Sequence, residues 1–566
     1  MVSKTPSSLS GLVDSRFSES ALRGGSRVSR LQDMDSELEN LQQSLYQILA
    51  TVFEYLQPLW RPRRNFIEPG GNSEVKFEFR SGWMCITHVC SHWREVALSV
   101  PSLWSKPSID ILSVPHQCIP DILVRSRSAS LKLEMDYDED STLIRAYAGL
   151  NAWLTPAVLR RTRCLMVAAD EELVNHVAER LPPSEEMEQL QALTVMLTLT
   201  DGLPDLPAAF HELSGVTELT LWGFWVPWQC PLMSSKLTKL TLLFFDDDTP
   251  RPYYEGFRAL LSLLQSLVDL NITNLVPLTD PDNSQPHPIS LPSSMRRITV
   301  HVTCSRFAMD ALTLISLMHP PPLCACDYSL PSSPYDAAQA NDAMARLLSL
   351  LSSEHRDTTE AQDLQLRHGH LKLMSAVIAP PSPPLHQSPW PNAPQIPATL
   401  DMQTFSLANY MSFLTMRDLR TVSFDGTSIQ ELSRDKLWAT FLRAANVRQI
   451  GIVRLGARMF DCTHTELFNT LRTSCSFGDG TPSGIFFPQL EVLALPFTND
   501  ESTYANTVFE LIELIHARRD RGSPLRELII SREAEDWAVW HTLRRLLKVT
   551  FIDYPTYESP IMPQEA

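Results

Sequence analysis

Apolar residues recur along this chain in two rhythms, and each predicts a different element. Leu45, Ile48, Leu49, Val52, Phe53 and Leu56 fall at i, i+3, i+4, i+7, i+8 and i+11, one face of a helix. Asp33 to Asn40 upstream supply acidic residues that suit a helix N-terminus, and Pro58 ends the pattern. A polar loop follows from Trp60 to Gly82, with Pro69-Gly70-Gly71-Asn72 as its turn signal. A second helix carries Ile86, Val89, Cys90, Trp93 and Ala97 on one face and stops before Pro101. Pro101-Ser102-Leu103-Trp104 closes this unit.

After residue 126 the rhythm changes to Φ-x-x-Φ-x-Φ, with Φ apolar. Complete copies are Leu190/Leu193/Val195, Val216/Leu219/Leu221, Leu237/Leu240/Leu242, Leu267/Leu270/Ile272 and Met295/Ile298/Val300. After a gap come Leu419/Val422/Phe424, Val447/Ile450/Ile452, Leu490/Leu493/Leu495 and Leu525/Leu528/Ile530, with partial copies at Leu131/Leu133 and Leu165/Val167. The first run steps by 26, 21, 30 and 28 residues, around the ~20–29 of a leucine-rich repeat. Helical spacing occupies Tyr254 to Leu264, Arg306 to Met318, Lys436 to Ala445 and Thr507 to Ala517. Strand, helix and return strand stack into a parallel sheet, so this region resembles an irregular leucine-rich-repeat solenoid. The Asn that lines the turns of standard repeats is mostly missing.

Alternate strand residues face away from the helices. That outward set is Glu218, Thr220, Trp222, Lys239, Thr241, Asp269, Asn271, Thr273, Arg297, Thr299, His301, Thr421, Ser423 and Asp425. A mixed polar face with one Trp suits a protein client; a solvated or loop-covered face is the alternative. Between the two runs, 319–400 opens with Pro320-Pro321-Pro322 and ends with Pro380–Pro384 and Pro389-Trp390-Pro391. It reads as a Pro-rich insertion or linker favouring polyproline II, with an amphipathic helix from Asp336 to Ser352.

The segments Ile48–Leu56 and Trp83–Trp104 resemble the two halves of an F-box-like domain. The more specific is the second, in which Val89-Cys90-x-x-Trp93-Arg94 is followed by Pro101-Ser102-Leu103-Trp104. The closest likeness is to the fungal F-box-like proteins with an insertion between the halves. Where that family has a Leu-Pro turn before its first helix, this chain has Ser44-Leu45-Tyr46. The resemblance implies a small helical bundle whose apolar face binds the adaptor subunit of a cullin-type ubiquitin ligase. The implied anchors are Ile48, Leu49, Val52, Phe53, Leu56, Val89, Trp93, Leu103 and Trp104; the bland alternative is that they pack the unit's own core.

Composition narrows the chemistry. With 19 Gly in 566 residues, roughly half the usual share, Gly-rich phosphate loops are disfavoured. A net charge of −17 argues against a nucleic-acid binder. No apolar run reaches the ~18 residues of a membrane span, and 1–30 reads as a polar tail without an apolar signal core. Ten Cys without a CxxC pair suggest a reducing cytoplasmic or nuclear setting. Cys85, His88, Cys90 and His92 are the most tempting metal cluster, yet Cys90 leaves the shared helix face. Cys324-Ala325-Cys326 lacks a second pair. Asp136, Asp138 and Asp140 begin a calcium-like loop that fails at Ser141 and Tyr147. His355-Arg356-Asp357 stands without the other kinase motifs, and Arg61, Arg63 and Arg64 beside Trp60 read as solvated charges.

The expectation is an α/β chain: a 1–30 tail, a small all-α F-box-like unit over 31–107 with a loop insertion at 57–82, and a leucine-rich-repeat-like solenoid over 108–318 and 401–556. A second tail occupies 557–566. The expected function is a non-catalytic ligase adaptor that needs no cofactor or metal. Its partners would be the adaptor and cullin subunits and a protein client, with neither nucleic acid nor membrane. The alternative is a repeat scaffold with a degenerate F-box-like cap and no ubiquitin role.

Overall fold

The structure, a computed structural model, describes residues 27–67, 76–107, 110–136, 148–198, 203–244, 251–278, 287–321, 324–331, 337–351, 362–367, 370–376, 395–402, 407–414, 416–417, 419–453, 461–475 and 484–553. The expected turn at 69–72, the acidic run beyond Asp136, the motif at 355–357, the Pro clusters at 380–384 and 389–391 and the 557–566 tail lie outside them. Two compact units form, residues 1–169 with 180–190 and residues 170–179 with 191–566.

The first unit opens with a 33-residue helix, Arg27–Leu59. It begins inside the stretch read as a polar tail, so Asp35, Glu37 and Glu39 lie beyond the first turn rather than at its N-terminus. The expected loop contains an antiparallel hairpin, Arg63–Ile67 with Lys76–Arg80. Gly82 then turns the chain at φ +52°, where an added Cβ would sit 2.4 Å from the Arg61 carbonyl carbon, so only glycine fits. The expected second helix is broken. Gly82–His88 is a 3₁₀ turn, Cys90 is extended, and the α-helix runs Ser91–Ser99, its first turn capped by the Cys90 sulfur accepting from Trp93 N. Pro101–Trp104 is a single turn with Pro at its start.

The long helix packs against the 3₁₀ turn and both of these helices. At the centre, Trp83 and Trp104 meet edge to face at 5.1 Å and Phe53 meets Trp93 at 5.3 Å. The Trp104 indole donates to Ala97 O at 2.8 Å. Phe53, Trp83 and Trp104 are buried, each contributing about 2–3 kcal/mol of apolar burial. Gln57 Nε2 donates to Leu103 O and Lys106 O and ties the long helix to the turn at Pro101–Trp104 and the residues just after it. The unit ends in two parallel strands, Leu131–Asp136 and Thr162–Ala169.

The second unit is mixed α/β around a large, mostly parallel sheet. Parallel neighbours run in the order Ala192–Leu197, Glu218–Trp222, Lys239–Leu243, Asp269–Thr273, Arg297–His301, Ala325–Leu330 and Gln395–Met402. His370–Ala376 then pairs antiparallel on both edges, with Gln395–Met402 and with Gln362–Arg367. Parallel order resumes through Leu419–Phe424, Gln449–Ile452, Val492–Leu495, Glu527–Ser531 and Lys548–Ile552. Every apolar position of the nine complete hexads is at most 4% exposed. Their last two apolar positions point inward from a strand, as a period of two requires.

Helices occupy Tyr254–Leu263, Ala308–Leu317 and Ala505–Asp520, while the stretch expected as a helix at 436–445 is the 3₁₀ segment Leu437–Arg443. The span read as a Pro-rich insertion carries strands of the same sheet and the helix Ala337–Leu351. Its strand Ala325–Leu330 buries Cys326, Tyr328 and Leu330. That alternation was hidden by the prolines before it. Asn274 sits in the left-handed region at φ +56°. Its amide donates to Phe244 O and accepts from Thr303 N and Thr303 Oγ1, tying three successive strand ends together.

Candidate functional site

The long helix presents two apolar faces where the sequence suggested one. Tyr46, Leu49, Ala50, Phe53, Leu56 and Gln57 turn towards the unit, with Phe53 fully buried and the others half-buried. Tyr46 Oη and Ser99 Oγ lie 2.6 Å apart, and Ser102 donates to Glu54 at 2.6 Å. Leu45, Ile48 and Val52 point outward and are 48%, 60% and 42% exposed.

The nine implied anchors therefore separate. Phe53, Leu103 and Trp104 lie in the core and are closed to a partner, because their side chains fill the space between the helices. Leu49, Leu56 and Trp93 are half-buried. Ile48, Val52 and Val89 are open, and Val89 is open because the chain straightens at Cys90 instead of continuing the helix that would have turned it inward. Trp83, absent from the expected set, is among the largest buried side chains. Met34, Leu38, Leu41, Tyr55 and Leu59 are exposed along the same helix and were missed, although their spacing is visible in the sequence.

Among the described residues no group of three or more His, Cys, Asp or Glu is placed to hold a metal ion. The break at Cys90 separates Cys85 and His88 from His92, and burial pushes the Cys85 thiol up. Arg61 and Arg63 are exposed beside a half-exposed Trp60.

The outward sheet face forms rows across parallel strands. One row reads Glu218, Lys239, Asp269, Arg297, with charge alternating from strand to strand. The next reads Thr220, Thr241, Asn271, Thr299, and the third Trp222, Leu243, Thr273, His301. In-register neighbours lie about 5 Å apart, so opposite charges offset one another along the row, and Arg297 and Asp269 approach to 3.9 Å. Asn271 Oδ1 is covered and has no hydrogen-bond partner among the described residues. Glu218, Lys239 and Arg297 are exposed, while Thr220, Trp222, Asp269, Asn271 and His301 are half-buried.

Four expected members leave this surface. Thr241 and Thr421 are buried, as is Ser423, a small side chain between Gln365 and Gly451 on the flanking strands. Asp425 is fully buried because the strand ends at Phe424 and its carboxylate caps the helix Gly426–Arg434, accepting from Ser428 N at 2.7 Å. An Asp immediately before a helical run is a capping signal that the sequence offered.

No described helix is long and apolar enough to cross a membrane. The chain matches no protein-family model and no curated protein.

Proposed function

We propose that this chain is a non-catalytic adaptor of a cullin-type ubiquitin ligase. The carrying observation is the small helical unit in which Trp83, Phe53 and Trp104 form a core while Ile48, Val52 and Val89 stay open on elements packed against one another. It accompanies the likeness of residues 48–56 and 83–104 to an F-box-like domain. The open residues supply apolar anchors for the ligase's adaptor subunit. The leucine-rich-repeat-like array presents its polar rows, Glu218 to Arg297 and Trp222 to His301, to a protein client. The mechanism is proximity: holding the client beside the ligase core raises the effective concentration of its lysines.

A second reading keeps the repeat scaffold without a ubiquitin role. It is favoured by the uninterrupted helix through Ser44-Leu45-Tyr46, where the family's Leu-Pro turn would break it. Affinity capture of the tagged full chain, read by mass spectrometry, separates the two. Recovery of adaptor and cullin subunits supports the adaptor; recovery of other proteins with neither subunit supports the scaffold.

A further inference from the structure

Met34, Leu38, Leu41, Leu45, Ile48, Val52, Tyr55 and Leu59 follow one another at alternating steps of four and three. This is the seam spacing of a coiled coil, sustained for nearly four heptads. All eight are 42% to 81% exposed, so the described residues leave the whole seam uncovered. From 31 to 60 the chain holds no Lys or Arg, which disfavours an anionic lipid surface, since interfacial helices carry Lys and Arg along the polar face itself.

We propose that a second copy of this chain covers the seam in an antiparallel helix pair. Turned about a point between Leu45 and Ile48, the spacing matches itself. Met34 then lies opposite Leu59 of the second copy, Leu38 opposite Tyr55, Leu41 opposite Val52, and Leu45 opposite Ile48. Such an isologous contact closes on two chains. The flanks agree in charge. The start of the helix carries Arg27 and Arg30 against Asp33, Asp35, Glu37 and Glu39, a net acidic end, and Arg61, Arg63 and Arg64 follow its other end, so antiparallel pairing brings a net acidic end to a basic one at both ends. A parallel pair would instead set the net acidic starts of the two helices level with each other and their basic ends likewise. The basic cluster next to Trp60 gains a role in this arrangement. Two strands are favoured over three because Leu49 and Leu56, on the neighbouring stripe, already pack against the helix's own unit. Ile48 and Val52 also belong to the adaptor-docking set, so pairing and adaptor docking compete for them; the pairing rests on the helix spacing and is tested without any ligase subunit.

The test is light scattering on the purified full chain. The expected mass is twice the 63.9 kDa of one chain. Leu38→Asp with Leu41→Asp returns it to a single-chain mass with an unchanged circular dichroism spectrum, whereas Val89→Asp, outside the seam, stays paired. Arg61→Glu weakens pairing roughly tenfold, and adding Asp35→Arg restores it. A wild-type chain of single mass at every attainable concentration, or a double variant that stays paired, overturns the proposal. Failure of the Asp35→Arg rescue overturns the antiparallel arrangement.

Discussion

The long helix of the first unit and the sheet of the second both space apolar residues regularly, yet they bury them to opposite extents. In the sheet, Leu219, Leu240, Leu270 and Ile298 are fully buried; on the helix, Leu38, Leu41, Ile48 and Leu59 are at least half exposed. A strand has two faces, and when one is charged and polar the apolar one has a single destination. A helix has several stripes. Its own fold needs only the one that touches it, and a second apolar stripe is free for something else. Burial rather than hydrophobicity separates the residues that hold this chain together from those available to a partner.

The largest effect expected from this contrast lies in the sheet. Leu240→Ala opens a cavity where the side chain is fully buried, and urea unfolding should report a loss of about 3 kcal/mol. A loss below about 1 kcal/mol would mean that the inward row is loosely packed. Asn274→Ala removes the amide that serves Phe244 O, Thr303 N and Thr303 Oγ1. It should destabilise by about 2 kcal/mol, because buried backbone groups lose their partner.

His464 sharpens the comparison through pH. It is fully buried amid Phe468, Phe497 and Tyr504, and neither ring nitrogen has a hydrogen-bond partner among the described residues. Burial lowers its pKa from 6.5 to about 3. The unfolded chain takes up a proton below pH 6.5 that the folded chain refuses until about pH 3. Stability is therefore complete above that window and falls as pH drops through it, by about 2 kcal/mol between pH 7 and 5. His464→Phe should remove this slope from the unfolding free energy; an unchanged slope would assign the acid sensitivity elsewhere. The smallest effect belongs to the helix. At dilution that keeps the chains single, Leu41→Ala should change stability by no more than about 0.5 kcal/mol.

Much of the sheet was legible in the sequence, because Φ-x-x-Φ-x-Φ fixes which positions turn inward. The strand Ala325–Leu330 was not, since Pro320-Pro321-Pro322 dominates the composition around it while Cys326, Tyr328 and Leu330 alternate quietly behind. The candidate site was legible in part. Leu45 to Leu56 read as one apolar face, but at 100° per residue those positions span two stripes, and spacing alone does not say which meets the core. The break at Cys90 carried no signal, because cysteine is not a favoured cap. It decides that Val89 is open and Trp93 half-covered. Asp425 went the other way, joining the outward row by alternation when its carboxylate was needed by the next helix.

On the proposed function, the open apolar residues of the first unit, and not its buried motif tryptophans, would bind a ligase adaptor subunit. Titrating that purified subunit into the full chain tests it most directly, alongside a folded Val52→Glu/Val89→Glu variant. Saturable binding to the wild-type chain and its loss in the variant are the expected results. No binding to the wild-type chain, or equal binding to both, would contradict it.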